Sequence, residues 1–171
     1  IWENADVDMP LYEKDAIQTL KGSSAVIAFD DNNFLNMGQN SLVVIKKIQK
    51  SRIQPEKKSF LVLIDGDLKG QIEGNKKTNV RLLVNTPTAT AEVGTDMQTG
   101  EKSQFEVSVN ADQTSKIKVF SGSARVHAQG KEVEVKAHQM TEVRVDQPPR
   151  DPVPLPSAVS LQGPLGGASF Y

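Results

Sequence analysis

The stretch A-R-V-H-A-Q-G-K-E-V-E-V-K, from Ala124 to Lys136, decides the fold class. Its apolar and polar residues alternate with a period of two, the signature of strands with one buried face. With Gly130-Lys131 as the loop, Ala128 faces Val133 and Val126 faces Val135. All four then point to one side, and His127 sits opposite Glu134 on the other. Turn chemistry and hydrophobic register agree, which predicts a β-hairpin.

Working outward, short runs of the same kind recur between Gly, Asn and Asp turns. Ser24 to Phe29, Ser41 to Ile45, Phe60 to Ile64 and Val80 to Val84 read as strands. So do Phe105 to Val109, Ile117 to Phe120 and Thr141 to Val145. Leu42 to Lys50 shows an i, i+3 apolar rhythm, but Val43, Val44, Ile45 and Ile48 are β-branched and favour strand. A second hairpin turns at Asp30-Asp31-Asn32-Asn33; with a three-residue loop, Ile27 and Phe29 share a face with Leu35 and Met37. The expected fold is all-β: stacked short antiparallel strands forming an elongated sandwich or a β-helix-like stack.

From Gln147 the composition changes. Q-P-P-R-D-P-V-P-L-P contains Pro148, Pro149, Pro152, Pro154 and Pro156, and proline gives a sheet no donor. The Gly-rich end beyond it has no core of its own. The expected division is a β domain over residues 1–146 and a tail over 147–171. The tail is read as a linker that continues to another domain or packs on a partner through its prolines.

Bulk chemistry narrows the function. Twenty Lys and Arg against twenty-one Asp and Glu give a formal charge of -1, so no whole-chain attraction to nucleic acid or anionic membrane is expected. The absence of cysteine removes disulfides, thiolate catalysis and Cys-ligated metals. No apolar run approaches the roughly 20 residues of a membrane-spanning helix. The chain starts at Ile1, and a signal peptide or anchor is expected upstream.

Few polar clusters suggest chemistry. His127 and His138 have no third ligand at metal-binding spacing. Asp30-Asp31 and Asp65-Gly66-Asp67 fall between strand candidates, where Asp and Gly form ordinary turns. Phosphate-cradling loops, nucleophile elbows and zinc-protease motifs are absent. No enzyme activity, cofactor or metal is expected. The one cluster with a binding reading is basic: Lys46, Lys47, Lys50, Arg52, Lys57 and Lys58, against Glu56 alone. It suits an anionic glycan or an acidic protein face, and the bland alternative is a solvated hairpin tip.

Three stretches resemble the FecR domain family. The first is P-L-Y-E-K-D-A-I-Q-T (Pro10 to Thr19) with A-V-I-A-F-D-D-N-N-F-L-N-M (Ala25 to Met37). The family carries L-Y-x-G-D-x-I-x-T, a strand, D-D-G-S and another strand. Lys14 stands where glycine is usual, and Asn32-Asn33 replaces Gly-Ser. The second, N-T-P-T-A-T-A-E-V-G-T (Asn85 to Thr95), resembles T-P-x-A-x-A-x-x-G-T. In it, Pro87 keeps Thr86 extended, small side chains from Thr88 to Ala91 allow close approach, and Gly94 permits a change of direction. That suits a strand crossing between two layers. The third, V-F-S-G-S-A-R-V then V-K-A-H-Q-M-T-E-V (Val119 to Val126, Val135 to Val143), resembles V-x-x-G-S-V-x-V and V-x-A-G-Q.

The resemblance spans Asp6 to Val145, with the motifs in the family's order. It implies a β-rich periplasmic or cell-envelope module without catalytic activity. Its leading reading is a scaffold that binds other envelope proteins. The alternatives are the sensor domain of a sigma-factor regulator in cell-surface signalling, and a module binding peptidoglycan or anionic glycan.

Overall fold

The computed structural model describes residues 2–29, 33–50, 53, 56–74, 79–95 and 102–156. Alternation becomes strand throughout, and no helix forms among these residues. The strands are β1 (Ala16–Gln18), β2 (Ala25–Ala28), β3 (Phe34–Met37), β4 (Leu42–Lys50), β5 (Glu56–Ile72), β6 (Asn79–Asn85) and β7 (Thr90–Gly94). They continue as β8 (Ser103–Val109), β9 (Ser115–Ser121), β10 (Ser123–Ala128), β11 (Lys131–Lys136), β12 (Gln139–Val143) and β13 (Val153–Pro154).

The strands form two layers that share β5. Layer A runs β1-β4-β5-β6-β7-β10-β11, and layer B runs β2-β3-β5-β8-β9-β12-β13. Their inner faces close on one apolar core, with Leu61, Leu63, Leu82 and Val126 from layer A meeting Leu35, Leu68, Phe105 and Ile117 from layer B. The strands are not all short, nor the pairing all antiparallel. β5 is 17 residues long, and β6 lies parallel to its first half, Glu56 beside Asn79 and Val62 beside Asn85.

The bend in β5 corrects the turn expected at Asp65-Gly66-Asp67. Ser59, Leu61 and Leu63 are buried before it; Leu68, Gly70 and Ile72 are buried after it. The inward phase thus changes from odd to even without a chain reversal, and the strand passes from layer A to layer B. Gly66 makes this possible with φ 94°, and a Cβ there would lie 2.5 Å from Ser41 Cα. The crease is sealed by the Asp67 amide donating to Ser41 Oγ at 3.0 Å, while the Ser41 amide donates to Thr19 Oγ1 at 2.9 Å. The D-x-I-x-T motif therefore ends on a buried structural hydroxyl.

The decisive hairpin forms with a shifted register. Its loop is Gln129-Gly130, so Val126 faces Val133, Ala124 faces Val135 and His127 faces Glu132. Both loop residues have positive φ, 50° and 74°, as a type I′ turn requires. A shift of two preserves the buried side, so the same residues face the core in either register. At the second hairpin Ile27 pairs Leu35 and Ala25 pairs Met37; Ile27, Leu35 and Met37 are buried and Phe29 packs against them.

The T-P-T-A-T-A segment does not cross between layers. The Thr86 amide donates to the Ala89 carbonyl at 2.8 Å, closing the turn of a β6–β7 hairpin inside layer A. Its hydroxyls reach the other layer instead: Thr88 Oγ1 lies 2.6 Å from Ser115 Oγ, and Ser115 Oγ lies 2.7 Å from Thr86 Oγ1. The crossing from β9 to β10 is at Gly122, φ 78°, in the F-S-G-S motif.

Past Val143 the chain continues along the sheet. The Arg150 amide donates to the Glu142 carbonyl at 3.1 Å, the Leu155 amide to the His138 carbonyl at 2.8 Å, and Thr141 Oγ1 to the Arg150 carbonyl at 2.5 Å. Pro149 is buried, and Pro154 pairs with Gln139 at the edge of layer B.

Candidate functional site

The basic cluster sits on the β4–β5 hairpin, and strand geometry divides it. Arg52 and the side chain of Lys50 lie outside the described residues. Lys46 occupies the bulge between Ile45 and Lys47, and both lysines are exposed. Lys57 points toward layer B and donates from Nζ to the Phe29 carbonyl at 3.1 Å. Lys58 lies outside layer A with Nζ 5.4 Å from the centre of the Phe60 ring. Successive residues of a regular strand face opposite sides, so Lys57 and Lys58 cannot share one patch, whereas the bulge leaves Lys46 and Lys47 both exposed.

What the cations border is apolar. On the outer face of layer A, Val44 pairs Val62 and Phe60 pairs Leu83, and Lys47 sits across from Phe60. All four apolar side chains are half-buried, and Ile64 beside them is exposed. The outer face of layer B carries instead Lys69, Glu106 and Lys118 in one cross-strand row. The sequence carries a signal for this face that alternation alone passes over. V-V-I at 43–45 and F-L-V-L-I at 60–64 are unbroken apolar runs, the pattern of strands covered on both sides.

Beyond Leu83 the same face turns ionic. Glu56 Oε1 accepts from Arg81 Nε at 2.9 Å, and Glu92 Oε1 accepts from both Arg81 Nη1 and Arg125 Nη2 at 2.9 Å. His127 follows on β10 beside Thr90 and Glu132. His138 is elsewhere, in the β11–β12 turn with φ 65°, its amide donating to the Val119 carbonyl. Asp30-Asp31 lies outside the described residues. Asp65 and Asp67 flank the β5 crease.

The proline-rich segment borders a shallow groove of about 780 Å³ lined by Asp112, Lys131, Arg144, Pro148, Pro149 and Asp151. Its cations are matched: Lys131 Nζ to Asp151 Oδ1 at 3.2 Å, Arg144 Nε to Glu142 Oε1 at 3.4 Å. Of the prolines expected to contact a partner, Pro149 is instead buried, Pro152 is half-buried, and Pro148, Pro154 and Pro156 are exposed. The Thr86, Thr88 and Ser115 hydroxyls bond one another and the Val143 carbonyl, so they serve as ties between the layers. The arrangement serves surface recognition better than bond chemistry.

Comparison with known proteins agrees with this architecture. Two crystal structures of proteins assigned as anti-sigma factors, from Parabacteroides distasonis ATCC 8503, share the fold. One gives a TM-score of 0.60 at 13% identity over 87% of this chain and 65% of its own; the other gives 0.60 at 11% over 86% and 63%. At these identities the likeness is one of fold, and the chain spans less than two thirds of either length. No curated protein matches the chain in sequence. The family model described as FecR protein matches residues 15–125, from the approach to β1 into β10 and across both layers, and the chain belongs to the FecR protein family.

Proposed function

We propose that this chain is the envelope-side recognition module of a signalling regulator, binding another protein through the outer face of layer A. One observation carries the reading: Val44, Phe60, Val62 and Leu83 form an outward apolar stripe bordered by Lys46, Lys47 and Lys58. An apolar centre with a charged rim is the anatomy of a protein interface. The cations favour a partner with an acidic rim and speed its approach. Family membership and the shared anti-sigma-factor fold support regulation over scaffolding. The glycan reading is weakened because Lys57 is turned away from the other cations and donates to the Phe29 carbonyl.

The test uses the full-length gene at its native locus. Deletion is expected to change transcription of a discrete set of genes, and Phe60→Glu is expected to reproduce that change with the protein still folded and abundant. Unchanged transcripts, with loss of an envelope complex in the same strains, would assign the module to scaffolding.

A further inference from the structure

Among the described residues, several strand edges carry a device against pairing with a foreign strand. β11 is bounded by Lys131 and Lys136 with Glu132 and Glu134 between them. β13 is two residues long and contains Pro154. β1 is three residues long. Charge, proline and brevity are the usual protections of an exposed edge. A further edge among the described residues, β2, reads Ala-Val-Ile-Ala, with neither charge nor proline.

The hydrogen-bond phase shows which groups this edge offers. The Phe29 amide donates to the Asn33 carbonyl at 2.8 Å, so Phe29 and Asn33 form a hydrogen-bonded pair. In an antiparallel ladder such pairs alternate, which makes Ile27–Leu35 and Ala25–Met37 bonded and leaves Val26 and Ala28 turned outward. Among the described residues, no turn or side-chain bond is made by the backbone of Val26 or Ala28. Val26 is 65% exposed on an edge whose neighbouring residue, Ile27, is buried. Phe34, opposite Ala28, adds a half-buried ring to the same outer side.

We propose that the β2 edge takes up an extended segment of a partner protein as an added strand. Two donors and two acceptors at strand spacing match another extended backbone. Val26 and Phe34 select apolar, β-branched side chains at alternate positions of that segment. The site is separate from the outer face of layer A, so it can operate whether or not that face binds a partner.

The experiment is amide-resolved NMR of the full chain titrated with the peptide acetyl-Ser-Val-Thr-Val-Thr-Val-Ser-amide. Shifts and slowed hydrogen exchange are expected at Val26 and Ala28. Val26→Lys, at an exposed position, is expected to weaken binding about tenfold by placing a charge at the edge. Val26→Pro removes the outward amide and gives a second, independent loss. Phe60→Glu leaves the peptide response intact, which separates this site from the layer A face. Peptide shifts confined to β11, or no response at β2, overturn the proposal. Protection at Val26 and Ala28 that grows with protein concentration alone overturns it too, and assigns the edge to a second copy.

Discussion

The amide of Lys14 donates to the carbonyl of Ile45 across 2.6 Å, and the lysine holds φ at 76° while it does so. The Asp15 amide donates to the Tyr12 carbonyl at 3.1 Å, which makes Lys14 the third residue of a type II turn. The FecR pattern L-Y-x-G-D has glycine at this place. His138, φ 65°, sits where V-x-A-G-Q has glycine. At both positions the turn is kept and the residue is strained. Left-handed backbone costs a residue with a Cβ roughly 1–2 kcal/mol, and glycine gives back about 0.5–1 kcal/mol through the entropy of the unfolded chain. Relief of strain outweighs that entropic loss. Lys14→Gly and His138→Gly are each expected to stabilise the fold by about 0.5 kcal/mol, and to add in combination because the sites share no partner. Urea unfolding of the three variants checks this; a loss of stability in the single variants would refute the strain at these turns.

Gly70 is the second place where a missing side chain is structural. It lies opposite Phe105 on β8, and a Cβ there would lie 2.6 Å from Phe105 Cε1 and 2.7 Å from Leu35 Cδ2. Both neighbours are buried and cannot swing into solvent. Gly70→Ala is expected to cost about 1–3 kcal/mol by overpacking. Phe105→Leu in the same chain should restore part of that loss, although alone it destabilises. A double-mutant cycle in denaturant measures the coupling, and strict additivity would show that the ring does not occupy this space.

The inward faces are legible in the sequence because their signal is periodic. Alternation alone places Val126, Val133, Ile27 and Leu35 on buried sides, even though the hairpin register it suggests is off by two. Alternation reports parity, and parity is unchanged by an even shift. It cannot report that Asp65-Gly66-Asp67 bends a continuing strand. Asp and Gly there have the same composition as a reversal, and only the change of inward phase from Leu63 to Leu68 separates the two cases. The parallel partnership of β5 with β6 is hidden for a related reason: nothing local in N-V-R-L-L-V-N names its neighbour. The basic cluster looks like a unit when charge is counted along the chain, whereas a strand sends Lys57 and Lys58 to opposite sides.

Asp112 supplies a pH-dependent prediction. Its carboxyl is held below the usual carboxylate range, first by the Thr114 amide, which donates to Oδ1 at 3.0 Å, then by the Thr114 hydroxyl and more weakly by the charge of Arg144. A depressed folded value means that ionised Asp112 favours the folded state. That contribution is complete above the ordinary Asp value of 3.8 and is lost as pH falls through the lower folded value. Carboxyl-detected NMR titration should place Asp112 below the ordinary Asp value of 3.8, and Thr114→Val should move it upward by removing the hydroxyl while the amide remains. A midpoint at the ordinary value in the parent chain would contradict the Thr114 hydrogen bonds.

The proline-rich segment separates into parts with different expected effects on truncation. Removing residues 157–171 leaves the Arg150, Leu155 and Thr141 hydrogen bonds in place. Removing residues 147–171 strips the bonds from the Arg150 and Leu155 amides and from the Thr141 hydroxyl, and uncovers the site of buried Pro149. Each hydrogen bond is worth about 0.5–1.5 kcal/mol net, so a loss of about 2–3 kcal/mol is expected. Chemical denaturation of the two truncated proteins compares them directly. Equal stabilities would mean that β12, not β13, ends layer B in solution. A large difference would make residues 147–156 part of the folded module, so that weaker partner binding in the shorter protein could be read as loss of tail contacts only after the lost stability had been measured.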